Sequence, residues 1–361
     1  MFCYLSELSD YFGPLRLFDY VSFRAGGAFV FSFFIVALLG GKVASMLKKY
    51  KTASADRYAG LFPPEYISKL KNSTPSMGGL LLIGAVMVSS VLWTDISGVI
   101  APVFIASMGL FALIGFADDY IKLKNRDGLS ASVKFILTAV VAGAAFLVLR
   151  SASGFGELMD YMVIPFVKNP VYVGWFAWII SILAVLGTVH GANLTDGKDG
   201  LVSGCAISSS LAYTVIAYIM SHKIFSGYLN VPFLPGAENA VIFGMAICGA
   251  CMGFLWHNCQ PASMFMGDTG SLPLGGAIAM LAVLTRQEIL LILVGGVFVI
   301  EAASSMIQIY YFKLTGNRVF LCAPIHHHFE RKDWKENQIV IRFWILSWLF
   351  ALLALATLKL R

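Results

Sequence analysis

The residues of this chain that could do chemistry are gathered in four short polar segments of an otherwise apolar sequence. Three segments carry aspartates and the fourth carries three consecutive histidines: Asp118-Asp119-Tyr120, residues 193–200, Met266-Gly267-Asp268 and residues 323–328. Carboxylates suit Mg²⁺, which completes its coordination with phosphates and water. Lysines and histidines can contact phosphate, and phosphoryl transfer needs little from a protein beyond positioning and charge compensation. Together the four segments favour a phosphoryl-transfer site.

The first segment places two carboxylates side by side at the predicted end of an apolar helix. Lys122 follows Asp118 and Asp119 by about one helical turn. Adjacent helical side chains point about 100° apart, so we expect the two carboxylates to address different atoms. One would meet metal or phosphate, and the other would orient a group or act as a base. The alternative is an ordinary ion pair at a solvated helix end.

The third segment opens a glycine-rich entry into a predicted helix. Asp268 follows Gly267 there, and an aspartate in this position can serve simply as the N-cap of the helix. It is equally suited to supply an oxygen ligand to Mg²⁺, which usually takes one or two carboxylates from the protein.

The second segment is flanked by glycines that allow tight turns. Between Gly191 and Gly200 lie four short polar side chains that could converge on a ligand: Asn193, Thr195, Asp196 and Asp199. The alternative is a turn whose side chains cap the next helix. In the fourth segment, His326, His327 and His328 are consecutive and splay apart, so they suit contacts with phosphate better than a zinc cage.

The elements that must position these segments are membrane helices. Of the 361 residues, 58% are hydrophobic and 13% are charged, with a mean hydropathy of +0.78, whereas soluble domains are about 25% charged. Closed hydrogen bonding favours helices in lipid, and each crossing needs about 20 apolar residues. We predict an all-α integral membrane protein, one polytopic domain over residues 1–361, with about ten transmembrane helices: residues 20–47, 77–93, 99–116, 133–149, 171–189, 201–220, 240–256, 272–285, 289–312 and 339–358. The eighth is the weakest, since it is short and contains Pro273.

Two predicted crossings separate each polar segment from the next, so all four should emerge on one membrane face. The loops on that side hold fifteen lysines and arginines, and the opposite segments hold seven. The positive-inside rule therefore predicts a cytoplasmic site and periplasmic termini. Topology and anionic lipid headgroups explain the net charge of +6, so no nucleic-acid partner is expected. The first predicted helix lacks the features of a cleaved signal and is expected to be retained.

The order of these motifs resembles the phospho-N-acetylmuramoyl-pentapeptide transferase family. The resemblance includes the Asp-Asp pair, the Asn-Leu-Thr-Asp-Gly-x-Asp-Gly loop, residues 265–272 and Ala-Pro-Ile-His-His-His, and residues 74–79 and 341–359 extend it over nearly the whole chain. It implies a ten-helix, typically dimeric enzyme of the bacterial inner membrane with its active site facing the cytoplasm. Such an enzyme transfers phospho-MurNAc-pentapeptide from UDP-MurNAc-pentapeptide to undecaprenyl phosphate, using Mg²⁺ and giving lipid I and UMP.

The resemblance also implies roles for individual residues. Asp268 would bind Mg²⁺, Asp118 and Asp119 would lie close to the reacting phosphates, and His327 joins them among the expected catalytic residues. Candidates for the nucleotide-sugar pocket are Lys71, Asn193, Asp196, Asp199, Asn258 and Phe265, with Phe265 stacking on uracil. Expected contacts to phosphate or to the pentapeptide-sugar side are Lys122, Lys134, His326, His327 and His328. Ser76, where the family commonly has threonine, keeps the hydroxyl and is expected to bind substrate.

The resemblance further implies a bent ninth helix beside a lipid groove, in the segment with Gly295, Gly296 and Glu301. An intramembrane glutamate is costly unless it is paired or faces a polar interior, so Glu301 is a functional candidate. The alternative for Glu301 is a structural ion pair, for example with Arg342. Two departures from the family pattern bear on substrate detail: Lys198 adds a cation beside Asp196 and Asp199, and His190-Gly191-Ala192 replaces Asn-Ala-Val.

Two other functions stay open from the sequence. One is transfer of a UDP-GlcNAc-type phosphosugar, which the His-His-His motif and ten rather than eleven helices disfavour. The other is transport of anionic conjugates, which would place charge near the membrane midplane rather than at one face. For transfer, an aspartate could attack first, or the lipid phosphate could attack directly. We favour direct attack because a phosphate monoester, with a second pKa near 6, is mostly a dianion at neutral pH.

Overall fold

The computed structural model describes residues 1–49, 74–125, 127–152 and 155–360, which are largely helical. Short 3₁₀ helices lie at Phe2–Leu8, Gly13–Asp19 and Gly156–Asp160. Within the described ranges the α-helices are α1 (Val21–Lys49), α2 (Gly79–Trp93), α3 (Ile100–Asn125), α4 (Ala131–Ser151), α5 (Phe176–Thr195), α6 (Leu201–Ser221), α7 (Lys223–Tyr228), α8 (Ala237–Asn258), α9 (Asp268–Leu284), α10 (Leu291–Val294), α11 (Gly296–Thr315), α12 (Ile325–Glu330) and α13 (Glu336–Thr357).

Among the described residues, eight helices are long and apolar enough to cross a membrane: α1, α3, α4, α5, α6, α8, α11 and α13. The apolar helices α2 and α9 are shorter. In chain order these ten helices, with the short α10 preceding α11, follow the ten predicted segments. The structure confirms the all-α membrane class. The number of crossings and the side on which the termini lie stay predictions.

The predicted helix ends differ most where the site is built. The prediction ended the third helix at Phe116, but α3 continues to Asn125. Asp118 and Asp119 therefore lie within a helix rather than beyond its end. The apolar pattern marks where the lipid-compatible stretch stops, whereas backbone hydrogen bonding continues through the polar residues that follow.

The fifth predicted helix began five residues too early. Strand β1 (Tyr161–Met162) pairs in antiparallel fashion with β2 (Val171–Tyr172), with Tyr161 opposite Tyr172. Gly174 then adopts a φ of +54°, which favours glycine, and α5 begins at Phe176. The apolar residues at 171 and 172 belong to this hairpin rather than to the helix.

The ninth predicted helix is divided at Gly295 into α10 and α11. Two consecutive glycines, Gly295 and Gly296, weaken helix propensity at this point. The resemblance implied a bend here, and the structure has a break.

Helix α9 forms the centre of the bundle, because every residue from Asp268 to Leu284 is buried. It packs mainly against α3 and α5, which carry two of the polar segments. Outer helices such as α1, α11 and α13 instead expose large apolar side chains, including Leu38, Ile309 and Leu352. Surfaces of that kind are costly in water and compatible with lipid.

Candidate active site

Three aspartates from two helices converge on one point. Asp118 and Asp119 lie on α3, Asp268 is the first residue of α9, and all three side chains are buried. One carboxylate oxygen from each lies within 4.8 Å of those from the other two. Both adjacent carboxylates on α3 therefore reach one point and could contact a single cation, while the expectation that they address different atoms stays a prediction.

Close approach of the two helices brings these residues together. A Cβ atom at Gly115 would collide with the backbone of Asp268, so α3 can pack against the start of α9 only with glycine there. The backbone N–H and the hydroxyl of Thr269 donate to Asp119 Oδ2 at 2.9 and 2.7 Å. Leu129 N–H donates to Asp118 Oδ1 at 2.8 Å. Each α3 carboxylate thus has one oxygen fixed by neighbouring donors.

Two lysines face the three carboxylates. Lys122 pairs with Asp118, and its Nζ lies 2.9 Å from Asp268 Oδ2 and 3.9 Å from Asp119 Oδ1. Lys134 Nζ, from α4, lies 3.2 Å from Asp268 Oδ2 and 3.5 Å from Asp118 Oδ2. The carboxylates outnumber the amines, and converging carboxylate oxygens are the donors that Mg²⁺ prefers. The donor set fits a divalent cation bound together with phosphate.

A polar cavity of about 360 Å³ opens beside this cluster. Seven of the predicted site residues line it: Lys122, Lys134, Asn193, Asp196, Asp268, His326 and His327. Asn193 Nδ2 also donates to Ser271 Oγ at 2.9 Å, which ties the end of α5 to the first turn of α9. The cavity is large enough for part of a nucleotide sugar.

The three histidines have different surroundings. His326 is buried against Gly197, where a Cβ atom would collide with its ring, and its Nδ1 lies 3.0 Å from Glu301 Oε2. His327 Nδ1 lies 2.9 Å from Glu330 Oε2. His328 Nδ1 accepts from Leu321 N–H at 3.1 Å and is not among the residues that line the cavity.

Arg342, which was suggested as an ion-pair partner for Glu301, is not its partner in the structure. Glu301 pairs with His326, whereas the guanidinium of Arg342 lies 4.0 Å from the ring centroid of Trp334. Glu301 and Arg342 are on different helices, α11 and α13, and sequence spacing does not indicate how those helices are rotated relative to each other. Glu301 therefore supports a histidine at the cavity from within α11.

Several predicted binding residues hold loops in place instead of lining the cavity. Asp199 Oδ2 accepts from Ala262 N–H at 3.1 Å. Asn258 Oδ1 accepts from Gly200 N–H at 3.0 Å, and its Nδ2 donates to Met264 O at 2.9 Å. Neither residue is among those that line the polar cavity. Their contacts fix the second polar segment against the loop before α9.

Phe265 and Ser76 are not among the residues that line the polar cavity. Phe265 is half-buried, its N–H donates to Pro75 O at 2.8 Å, and its carbonyl accepts from Gly78 N–H at 2.9 Å. A Cβ atom at Gly267 would lie 2.9 Å from Ser76 Oγ and 2.6 Å from Asp119 Oδ2, so Ser76 is a neighbour of the cluster. Lys71 lies outside the described residues.

Lys198 has a partner that the sequence did not indicate. Its Nζ lies 2.6 Å from Glu330 Oε1, between the second and fourth polar segments. Glu330 was missed as a site residue, although it follows His327 by three positions and must share its helical face. Arg331 also lines the cavity, whereas the sequence indicates for it only a place among the fifteen basic residues of the loops on this side.

An apolar cavity, also of about 360 Å³, lies beside the broken ninth helix. It is lined by α5 residues such as Leu183 and Gly187, by Ile292 of α10, by Gly295 at the break and by Val299 of α11. Farther along α5, a Cβ atom at Gly191 would lie 2.9 Å from Phe298 O, so α5 and α11 are in contact just before Asn193. The same helix thus borders an apolar cavity and, at its end, the polar one.

Comparison with known proteins places this chain among relatives of similar sequence. Residues 101–286 match the family described as glycosyl transferase family 4. The chain is 43% identical to the phospho-N-acetylmuramoyl-pentapeptide-transferase of Methylacidiphilum infernorum (isolate V4) and 41% identical to that of Pelagibacter ubique (strain HTCC1062). Both alignments cover 100% of each chain.

Proposed function

Because this chain belongs to glycosyl transferase family 4 and to the phospho-N-acetylmuramoyl-pentapeptide transferases, we propose that it transfers phospho-MurNAc-pentapeptide from UDP-MurNAc-pentapeptide to undecaprenyl phosphate. It is a phosphosugar transferase of peptidoglycan synthesis. The products are lipid I and UMP. Identity of 41–43% over the full length favours this reaction over UDP-GlcNAc transfer, and it gives no support to a transporter.

The observation that carries the proposal is that α5 borders an apolar cavity along its length and, at its end, the polar cavity beside the buried aspartate cluster. A polar cavity lined by Asn193, Asp196 and His327 suits a nucleotide sugar, and an apolar cavity along α5 suits a polyprenyl chain. The cluster of Asp118, Asp119 and Asp268 adjoins the polar cavity at the end of α5. A reaction between a polar donor and a lipid acceptor requires both kinds of surface.

We assign the three aspartates to Mg²⁺, with Asp268 as the principal ligand. When bound, Mg²⁺ supplies charge neutralisation at the diphosphate and polarises the phosphorus that is attacked. Lys122 and Lys134 already contact Asp268, so they can move from carboxylate to phosphate oxygens when substrate enters. The lysines then compensate the charge that develops on the leaving UMP.

Direct attack by the lipid phosphate is the step that we favour. An oxygen of undecaprenyl phosphate forms a bond to the sugar-bearing phosphorus, and the bond from that phosphorus to the bridging oxygen of UMP breaks. No proton transfer is required, because the acceptor is mostly a dianion at neutral pH. Asp119 Oδ2 already accepts two hydrogen bonds from Thr269, which makes it a poor nucleophile. Asp118, fixed by Leu129, orients the acceptor.

We also propose the setting that the sequence predicts. The chain would lie in the bacterial inner membrane as a homodimer, with the active site on the cytoplasmic side and both termini outside. The asymmetry of lysine and arginine between the two sets of loops supports this orientation.

The decisive experiment measures UMP release by purified protein in detergent with undecaprenyl phosphate and Mg²⁺. UDP-MurNAc-pentapeptide and UDP-GlcNAc are compared as donors. We expect release only from UDP-MurNAc-pentapeptide, dependent on Mg²⁺ and abolished by Asp268→Ala. Asp160→Asn is the matched control, since Asp160 is a carboxylate paired with Arg150 away from the cavity. Release from UDP-GlcNAc alone would refute the assigned donor, and a phosphosugar adduct trapped on Asp118 or Asp119 would refute direct attack.

A further inference from the structure

Three residues form a continuous polar chain from the second polar segment to the cavity. Lys198 Nζ lies 2.6 Å from Glu330 Oε1, and Glu330 Oε2 lies 2.9 Å from His327 Nδ1. His327 lines the cavity. We name Lys198, Glu330 and His327 the clamp.

The clamp is better shielded than an ordinary surface ion pair. The Lys198 side chain is 5% exposed and that of Glu330 is 23% exposed. Exposed pairs contribute little because water and salt screen them, whereas partial burial strengthens both the attraction and the directional preference. The pair is therefore able to hold one geometry at the edge of the cavity.

The backbone around Lys198 is held independently of it. Asn258 Oδ1 accepts from Gly200 N–H, and Glu336 Oε1 accepts from Asp199 N–H at 3.3 Å. At the other end of the clamp, Ile325 N–H donates to Ser304 Oγ at 3.0 Å, which fixes the start of α12 on α11. Removal of the Lys198 charge should therefore change the clamp without releasing either backbone.

Electrostatics set the charge states of the clamp. Burial raises the pKa of Glu330, but hydrogen bonds from His327 and Lys198 outweigh it and lower the pKa to about 2. Glu330 is thus a carboxylate at neutral pH. Burial is also the largest influence on His327 and lowers its pKa; the hydrogen bond to Glu330 acts in the opposite direction, and the charges of His326 and Lys198 add to the lowering.

A carboxylate can only accept a hydrogen bond, so neutral His327 must carry its proton on Nδ1 when it contacts Glu330. Nε2 lies outside the clamp and is an acceptor while the ring is neutral and a donor once the ring is protonated. Lys198 holds Oε1 of Glu330 while Oε2 meets His327 Nδ1, so the amine helps to set the direction in which the carboxylate faces the ring. The amine thereby influences which nitrogen of a cavity histidine carries the proton.

We propose that Lys198 is a positioning residue that acts through Glu330 to fix the orientation and proton position of His327 toward the substrate phosphates. The role of His327 rests on the proposed function, whereas the clamp itself does not. Lys198 pairs with Glu330 and is not among the described residues that line the cavity, so it acts on the site through Glu330.

Two substitutions of opposite electrostatic sign test the clamp. Lys198→Met removes a cation from the surroundings of His327 and should raise its pKa, while Glu330→Gln removes an anion and should lower it. The other charged groups around His327 stay in place: His326, Arg331, Asp196, Lys122, Lys134 and Asp268. The His327-dependent limb of the pH profile of kcat/KM, identified with His327→Gln, should move to higher pH in Lys198→Met and to lower pH in Glu330→Gln.

At pH 7 we expect Lys198→Met to reduce kcat/KM by roughly 10-fold to 100-fold, because misplacement of a phosphate-contacting group has effects of that order. Lys198→Arg keeps the charge and should restore most of the activity and the position of the limb. Arg150→Met breaks a comparable ion pair with Asp160 away from the cavity and should leave the profile unchanged.

A second measurement does not depend on activity. In protein labelled with ¹⁵N-histidine, the ring-nitrogen shifts of His327, assigned by difference from His327→Gln, report both the protonated nitrogen and the pKa. An Nδ1–H ring whose pKa moves in opposite directions in the two variants supports the clamp. Equal losses in Lys198→Met and Lys198→Arg, or an unmoved titration, would overturn it. Absence of UMP release by the wild type would refute the proposed function, and the ¹⁵N titration would still decide the clamp.

Discussion

Two clusters of buried charge lie at opposite ends of α9 and differ in how their groups are satisfied. At the start of the helix, Asp268 meets Asp118, Asp119 and two lysines beside an open polar cavity. Just beyond the other end, about 25 Å away for a helix of this length, Arg286 pairs with buried Glu288.

The Arg286 cluster is balanced in charge and is anchored to the protein backbone. Its Nε donates to Tyr161 O at 2.9 Å and its Nη2 to Met159 O at 3.1 Å, while Ser181 Oγ donates to Glu288 Oε1 at 2.7 Å. One cation meets one anion, and backbone carbonyls take the remaining donors. These contacts fasten the β-hairpin region to α9.

The Asp268 cluster has an excess of carboxylates, and its lysines are shared among several of them. Like charges held close together are costly unless a cation or a charged ligand compensates them. The comparison teaches that an excess of carboxylates beside a polar cavity marks a site for reaction, whereas a pair that is balanced in charge marks a structural joint.

The largest effect should come from breaking the pair of Arg286 and Glu288. Arg286→Met leaves Glu288 buried without its cation, and loss of one partner of a buried pair costs about 3–5 kcal/mol of the free energy of unfolding. Thermal unfolding in detergent measures the loss. The double variant Arg286→Met/Glu288→Gln should recover much of it, and no recovery would show that the pairing is not what stabilises this joint.

Asp268→Asn should instead reduce activity strongly and stability little. It removes a charge from the imbalanced cluster but preserves shape, so kcat should fall by a factor on the order of 10³ while the melting temperature changes little. UMP release and thermal unfolding of the same preparation provide both quantities. A large fall in melting temperature would place Asp268 with the structural cluster instead.

A smaller effect is expected at the residue that orients Asp119. Thr269→Val removes the hydroxyl donor to Asp119 Oδ2 but keeps the backbone donor, so we expect a reduction in kcat of roughly 5-fold to 10-fold, equivalent to one hydrogen bond. Thr269→Ser keeps the hydroxyl and serves as the control. Equal losses in both variants would assign the effect to packing.

The smallest effect concerns pH and Glu330. Its folded pKa of about 2 lies below the ordinary value of 4.5, so its contribution to stability is present above pH 4.5 and is lost as pH falls through about 2. The stability difference between wild type and Glu330→Gln, on the order of 1 kcal/mol, should therefore be full at pH 7 and shrink below pH 4.5. A difference that grows on acidification would contradict this assignment.

Much of the site could be predicted because its residue types are unusual for their surroundings. Asp118, Asp119, Asp268, Asn193, Asp196, His326 and His327 stand out in an apolar chain, and all belong to the cluster or line the cavity. Asp199 and Asn258 were equally conspicuous, but their hydrogen bonds hold loops. Residue type alone does not separate a ligand-facing amide or carboxylate from one that satisfies a backbone donor.

The sequence by itself determined that the chain is a helical membrane protein, since apolar stretches of sufficient length have no other economical structure in lipid. It also determined which polar residues interrupt those stretches, and their order identified the family. Only the tertiary structure decided that Gly115 lets α3 approach Asp268, that Glu301 faces His326 rather than Arg342, and that Lys198 reaches His327 through Glu330. These partners lie far apart in the chain, and the rotation of each helix, which sequence spacing does not specify, brings them together.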